Sequence, residues 1–456
     1  MKKTNLTDGS IGKTLFLFAI PFLIANILQS LYGAVDLFVV GKYCDSESVA
    51  AVSTGTQVTQ IITSLVSGLT LGSTILIGKY MGQKNLTRVR QTIGTTLSVF
   101  AVTAVLLTVG MISFRDPLLN LLQTPKEAFD LTAQYVTICS LGNIFICGYN
   151  AISALLRGYG DSTRPMIFVG IACFLNIVLD IIFVKYCHMG VSGTALATVL
   201  SQAFSMILSI IYLKKSHFLF DFKLSSFRIT GTVAKELAFV GIPISFQEMM
   251  VRISFLYLMT VMNKCGVFAA SVVGISSKYD VFAMLSATSM ANALAAVTAQ
   301  NIGAGKPERA RKSLWYGMSF ALSVSFLFWI WAQLSPASMI RVFSSDENVI
   351  AAGIPFFRSC SYDYILVAIV FCLNGYLNGR QKTVWTMVSC SASALLLRIP
   401  MVYFFGKYFA SDLGMLGKIA PIVSGIMALY TLIYVLYEGK KISRCQNAIF
   451  EFSLKS

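Results

Sequence analysis

Two stretches carry the organisation of this chain: MGQKNLTRVR at residues 81–90 and IGAGKPERAR at residues 302–311. An offset of 221 places Gly82, Arg88 and Arg90 on Gly303, Arg309 and Arg311. The same offset places Leu156 and Gly158 of LLRGYG on Leu377 and Gly379 of YLNGRQ, and 222 places Pro21 of FAIPF on Pro243 of VGIPI. Three matches in order at offsets of 221, 221 and 222 mark a duplicated chain of the kind found in transporters. Each polar stretch follows a long apolar run, so the duplicated unit is a set of apolar segments with short basic punctuation.

The 456 residues are 56% hydrophobic and only 12% charged, with mean hydropathy +0.72. A soluble domain carries roughly 45–50% apolar and about 25% charged residues, so a soluble enzyme is excluded. Membrane-length apolar windows predict helices at 14–40, 49–78, 92–113, 130–156, 165–184 and 191–213, then at 236–262, 269–300, 313–334, 351–379, 384–405 and 413–437. The expected domains are an N-lobe at 1–213, a cytoplasmic linker at 214–235, a C-lobe at 236–437 and a cytoplasmic tail at 438–456. The expected fold class is an all-α polytopic membrane protein, with twelve transmembrane helices in two pseudo-symmetric six-helix lobes. Six is an even number, so both lobes insert the same way round, related by an axis along the membrane normal.

Lys and Arg number 36 against 20 Asp and Glu, a net charge of +16. The bases sit in short clusters between apolar runs, which points to membrane topology and not to nucleic acid. Segments on the side of the N-terminus hold 24 of them and the opposite loops hold seven, which places both termini in the cytoplasm of a cell-membrane protein. The first apolar run follows Met1, Lys2 and Lys3, but it is too long for a signal peptide, contains Asp36 and lacks an A-x-A site, so it reads as the first transmembrane helix. The ten cysteines include no CxxC pair, and Cys139, Cys147, Cys173, Cys372 and Cys390 behave as small hydrophobes in apolar runs. No cofactor is expected, and the chain is expected to work as a monomer.

Charges inside hydrocarbon are costly and mark function. Asp36 stands six residues before Lys42 and Asp180 five before Lys185, so both carboxylates lie roughly 7–9 Å inside the outer ends of their helices at 1.5 Å per residue. Asn176 is one turn deeper on the face of Asp180. Asn26, Gln29, Gly33 and Asp36 form a stripe at spacings of three and four, with Tyr32 beside it; Thr194, Thr198, Ser201 and Ser205 form another, and Tyr135 opens helix 4 from the same side. Ser, Thr and Asn often only join helices, but that role needs no ionisable group. Two carboxylates without a basic neighbour in one cavity share a proton and titrate as a pair. Carboxylate, amide and hydroxyl oxygens together suit H⁺ or Na⁺, so the coupling ion stays open.

The second half serves as a control. The offset carries Asp36 onto Leu258, Asn176 onto Leu397, Asp180 onto Met401 and Thr198 onto Ile419, so the polar cluster is expected in one lobe only. The acids of the second half each have a base nearby on their own helix: Glu248 with Arg252, Asp280 with Lys278 and Asp363 with Arg358.

At this point the sequence resembles the multidrug and toxic compound extrusion (MATE) transporters, especially their DinF-like branch. The resemblance runs from Lys13 to about Tyr437 and is carried by Pro21 and Asp36 in IPFLIANILQSLYGAVDLFVVG, by IGKYMGQ, LLRGYGDSTRPM, NIVLDIIF and GTALATVLSQ, and by QNIGAGKPERAR in the second half. It implies two six-helix lobes, alternating access, and ion-coupled export of mainly cationic, amphipathic organic compounds. Family ion-site residues carry over onto Asp36, Asn176, Asp180 and Thr198, with Gln29, Tyr32, Tyr135, Asn26 and Thr194 as cavity neighbours and Pro21 at the helix 1 kink. The acidic site of the NorM-like branch has no clean match in the second half.

Two other readings compete. A lipid-linked oligosaccharide flippase of the wider superfamily would need a basic cavity for pyrophosphate, and Arg252, Arg358 and Arg398 supply some positive charge. An intramembrane enzyme would need a His, Cys, Ser or metal constellation, but His188 and His217 stand near opposite aqueous faces.

Overall fold

The computed structural model describes residues 5–455 apart from 123, 217, 222, 410 and 411, so His217 lies outside the described residues. Among them the chain is helical, without strands. In order it forms α1 (Ile11–Tyr43), α2 (Ser46–Gly82), α3 (Leu86–Ser113), α4 (Arg115–Leu121), α5 (Lys126–Leu141), α6 (Asn143–Tyr159), α7 (Thr163–Asp180), α8 (Gly190–Lys215), α9 (Gly231–Lys264) and α10 (Val267–Gly303). There follow α11 (Pro307–Leu334), α12 (Pro336–Arg341), α13 (Glu347–Cys360), α14 (Tyr362–Gly379), α15 (Thr383–Ala392), α16 (Ile399–Tyr408), α17 (Leu413–Gly417) and α18 (Ile419–Lys455). Six-residue π-helices, Ile181–Tyr186 and Ser393–Arg398, continue α7 and α15.

Eleven spans are long and apolar enough to cross a membrane, and α5 with α6 makes a twelfth if that pair, bent by 46°, is one crossing. This agrees with the twelve expected helices. The window at 130–156 is where sequence and structure part: Gly142 interrupts it, because the Val199 side chain packs where a Cβ would stand. Helix starts follow their side chains: Asp45 accepts from the Ser48 amide at 2.8 Å and Asn85 from the Arg88 amide at 3.0 Å. Pro21 lies inside α1, which runs unbroken from Ile11 to Tyr43.

The chain packs as two units. Unit 1 comprises Met1–Met249 and Ala296–Ala310; unit 2 comprises Met250–Ala295 and Arg311–Ser456. In unit 1, α2 packs on α5 and α6, while α1 packs on α7 and α7 on α8. Small residues permit the close approaches, as is usual where lipid gives helices no hydrophobic drive to associate. A Cβ on Gly158 would strike Ile77 and the Thr74 carbonyl, and one on Gly72 would strike Gly241. The duplication is visible in atoms: a Cβ on Gly82 would meet the Gln300 carbonyl, and one on Gly303 the Lys79 carbonyl. The 221-residue offset turns the first of these contacts into the second. In unit 2, Val272, Tyr279, Met339, Phe357 and Val402 belong to one apolar core.

Candidate functional site

α1, α7 and α8 bring the expected ion-site residues together. Thr198 Oγ1 donates to Asp36 Oδ2 at 3.3 Å, and Asn176 Nδ2 donates to Thr198 Oγ1 at 3.5 Å. Asp180 and Asn176 both lie beside the Asp36 carboxylate. Asn176 and Asp180 are 0% exposed and Asp36 is 3% exposed. Lys185 Nζ stands 5.6 Å above the Tyr43 ring, so the ends of α1 and of the α7 extension meet, and the two acids share a depth.

The electrostatics of this group are lopsided. Asp36 Oδ1, both Asp180 carboxylate oxygens and Asn176 Oδ1 are buried without a donor. No basic side chain is among the groups acting on either acid. Unpaired buried charge carries a large desolvation penalty, and two adjoining carboxylates offer each other only acceptors unless one is protonated. The cluster therefore needs a positive charge from outside the chain, and four donor-less oxygens form a set that fits a proton or a small hard cation. The π-helix begins at the residue after Asp180, with the Cys187 amide reaching back to the Ile182 carbonyl at 2.9 Å. Such widened turns recur at functional sites, where they re-aim a side chain.

A cavity of about 410 Å³ opens on this group within unit 1. Asp36, Gln29, Tyr32, Tyr135 and Thr198 line it; Asn176 and Asp180 sit behind the wall, and Asn26 and Thr194 are not among its lining residues. Thr194 is one turn beyond Thr198 and wholly buried. Tyr32 OH donates to Ser201 Oγ at 3.2 Å, and Tyr135 OH lies 3.4 Å from Thr56 Oγ1. A Cβ on Gly55 would overlap the Tyr135 ring, so that glycine makes room for the aromatic wall. Thr56, Thr59, Gln60 and Thr63 of α2 add a polar face that the sequence reading missed. Its signal was present, since these positions follow the three-four spacing of a helical stripe. No Lys or Arg lines the cavity.

Unit 2 corrects two expectations. Asp363 is 3% exposed whereas Arg358 is on the surface, because α13 ends at Cys360 and a new helix starts at Tyr362, which breaks the spacing between them. Lys278 is likewise exposed and does not serve Asp280. The charge that both acids feel is Arg398, 9% exposed, which donates to Ser254 Oγ at 3.2 Å and covers the Phe255 ring at 4.5 Å. A buried ionisable group therefore exists in the second half as well. It differs in kind, because the chain supplies its own cation.

A many-span helical protein with a duplicated architecture and a cavity bordered by one buried carboxylate has the form of a membrane transporter. The chain belongs to the MatE family: the family model matches twice, at residues 21–182 and 243–404, in step with the 222-residue offset that relates Pro21 to Pro243. It is 26% identical over 415 residues to the probable multidrug resistance protein YpnP of Bacillus subtilis (strain 168), covering 90% of this chain and 91% of that one. It is 26% identical over 428 residues to the probable multidrug resistance protein NorM of Thermotoga maritima, covering 92% and 91%. A solved outward-facing multidrug resistance MATE family transporter of the MOP superfamily matches the fold with a TM-score of 0.88 at 23% identity, over 95% of this chain and 97% of that one. The protein is thus a multi-span membrane transporter of the multidrug MATE family.

Proposed function

We propose that the protein is a secondary active multidrug exporter that antiports H⁺ or Na⁺ against amphipathic, mainly cationic organic compounds by alternating access. Asp36, Asp180, Asn176 and Thr198 form the ion-coupling site, and Gln29, Tyr32 and Tyr135 contact substrate. The observation that carries this reading is the pair of buried carboxylates without a base, one of which borders the cavity. When ion leaves, two negative charges face each other in a poorly solvated place. A cationic substrate relieves that penalty as well as the ion does, so the two compete for one charge vacancy. Each ligand then shifts the conformational equilibrium by its differential affinity.

The lipid-linked oligosaccharide reading is not favoured, since a pyrophosphate requires bases and the cavity lining has none. We further place the six-helix lobes at 1–213 and 236–437, the linker 214–235, the tail 438–456 and both termini in the cytoplasm, in a monomer of the DinF-like branch. The 24-to-7 bias of basic residues supports this topology. Reconstitution into liposomes with an imposed pH or Na⁺ gradient tests the function: uptake or release of a fluorescent organic cation must follow one gradient and collapse with it. Flux indifferent to both gradients refutes antiport.

A further inference from the structure

Arg88 and Arg309 are matched by the 221-residue offset and make matching contacts. Arg309 donates from Nη1 to the Gly9 carbonyl and from Nη2 to the Asp8 carbonyl, each at 2.7 Å. Arg88 donates from Nη1 to Thr232 Oγ1 at 3.1 Å. The segment held by Arg309 leads into α1 and the segment held by Arg88 leads into α9, the first helices of the two repeats. Thr232 lies 222 positions after Ser10, the neighbour of Gly9. The first turn of the third helix of each repeat therefore grips the start of the first helix of the other, Thr232 being in the first turn of α9 itself. All of these residues belong to unit 1.

Each entry is held by further contacts. At the α1 entry Lys306 Nζ adds contacts to Asp8 Oδ1 at 2.6 Å and to the Thr7 carbonyl at 3.0 Å, and Asn301 Nδ2 reaches the Leu6 carbonyl at 3.1 Å. Leu6 is 1% exposed. Asn5 Nδ2 braces Asp8 Oδ2 at 2.8 Å, and Gly9 supplies the φ of +75° that turns the segment towards Arg309. The offset places Lys306 on Asn85, whose side chain already caps α3. The cation beside the α9 entry comes instead from the end of α2, where Lys79 Nζ lies 3.7 Å from Glu236 Oε2, and the Thr230 amide donates to Thr95 Oγ1 at 3.1 Å.

We propose that Arg309 and Arg88 are paired catches that hold this conformation and that both open in each transport cycle. The inference rests on the alternating-access reading. Its test uses full-length protein in liposomes, with Asp8→Cys and Lys306→Cys joined by a short bis-maleimide, and single-cysteine variants treated alike. Export of a fluorescent organic cation is expected to fall in proportion to the bridged fraction, while the single-cysteine controls keep wild-type export. Complete bridging with undiminished export overturns the proposal, and export by the unbridged protein reports separately on the transport reading. A second arm needs no transport: amide exchange is expected to accelerate in residues 6–10 in Arg309→Ala and at 228–232 in Arg88→Ala. Unchanged exchange in both variants overturns the proposal.

Discussion

Replacing Asp36 by Asn keeps the shape of the side chain and an acceptor for Thr198, whose hydroxyl lies 3.3 Å from Asp36 Oδ2. What it removes is one of two charges that have no base among their surroundings. Two like charges about 4 Å apart repel by about 4 kcal/mol at an effective dielectric of 20. With the repulsion gone, the drive to capture an ion or a cationic substrate drops by that amount, which is about three decades of affinity at about 1.4 kcal/mol per decade. Gradient-driven efflux in Asp36→Asn is therefore expected to fall to background while expression and melting temperature stay near wild type. Asp180→Asn should do likewise, because it removes the same repulsion from behind the cavity wall. The double variant should be scarcely worse than either single one, since the pair acts as a unit. Dye efflux from proteoliposomes and equilibrium dye binding decide it, and wild-type efflux from Asp36→Asn at matched protein levels would refute the reasoning.

Further outcomes follow from other contacts. Asp363→Asn leaves the Arg398 guanidinium buried with less compensation and should lower stability by about 1–3 kcal/mol, seen as a drop in melting temperature that Arg398→Met on top largely reverses. Gly55→Ala pushes the Tyr135 ring out of the cavity wall, and should weaken dye binding while the strain removes about 1–3 kcal/mol of stability. Lys306 beside Asp8 holds that carboxyl below its ordinary value of 3.8. A lowered pKa means the contact stabilises above that value and fades as pH falls through the lowered one, so amide exchange at residues 6–10, corrected for intrinsic rates, should be flat through neutrality and rise only in strong acid. Cysteine labelling should reach positions in 214–235 from the cytoplasm and the loop of Lys264 from outside; the reverse pattern overturns the topology.

Much of this protein was legible in its residues, for one physical reason: a bilayer is a uniform solvent that every segment must satisfy by itself. Apolar run lengths therefore give the spans, basic punctuation indicates sidedness, and a repeated motif exposes the duplication that Gly82 and Gly303 later display as mirrored contacts. Asp36 and Asp180 could be paired from sequence because they stand six and five residues before Lys42 and Lys185, a similar depth, and depth in a membrane is a coordinate. Position around a helix axis, and packing between distant helices, are not written that way. Only the tertiary structure put Asn176 and Asp180 behind the wall and the threonines of α2 on it. It also replaced the expected Asp363–Arg358 pair with Arg398, since a one-residue break between α13 and α14 undoes any spacing argument across it. The grip of Arg309 on Gly9 was beyond reach as well: the motif announced two matched arginines, but their partners stand 300 and 144 residues away along the chain and were chosen by folding.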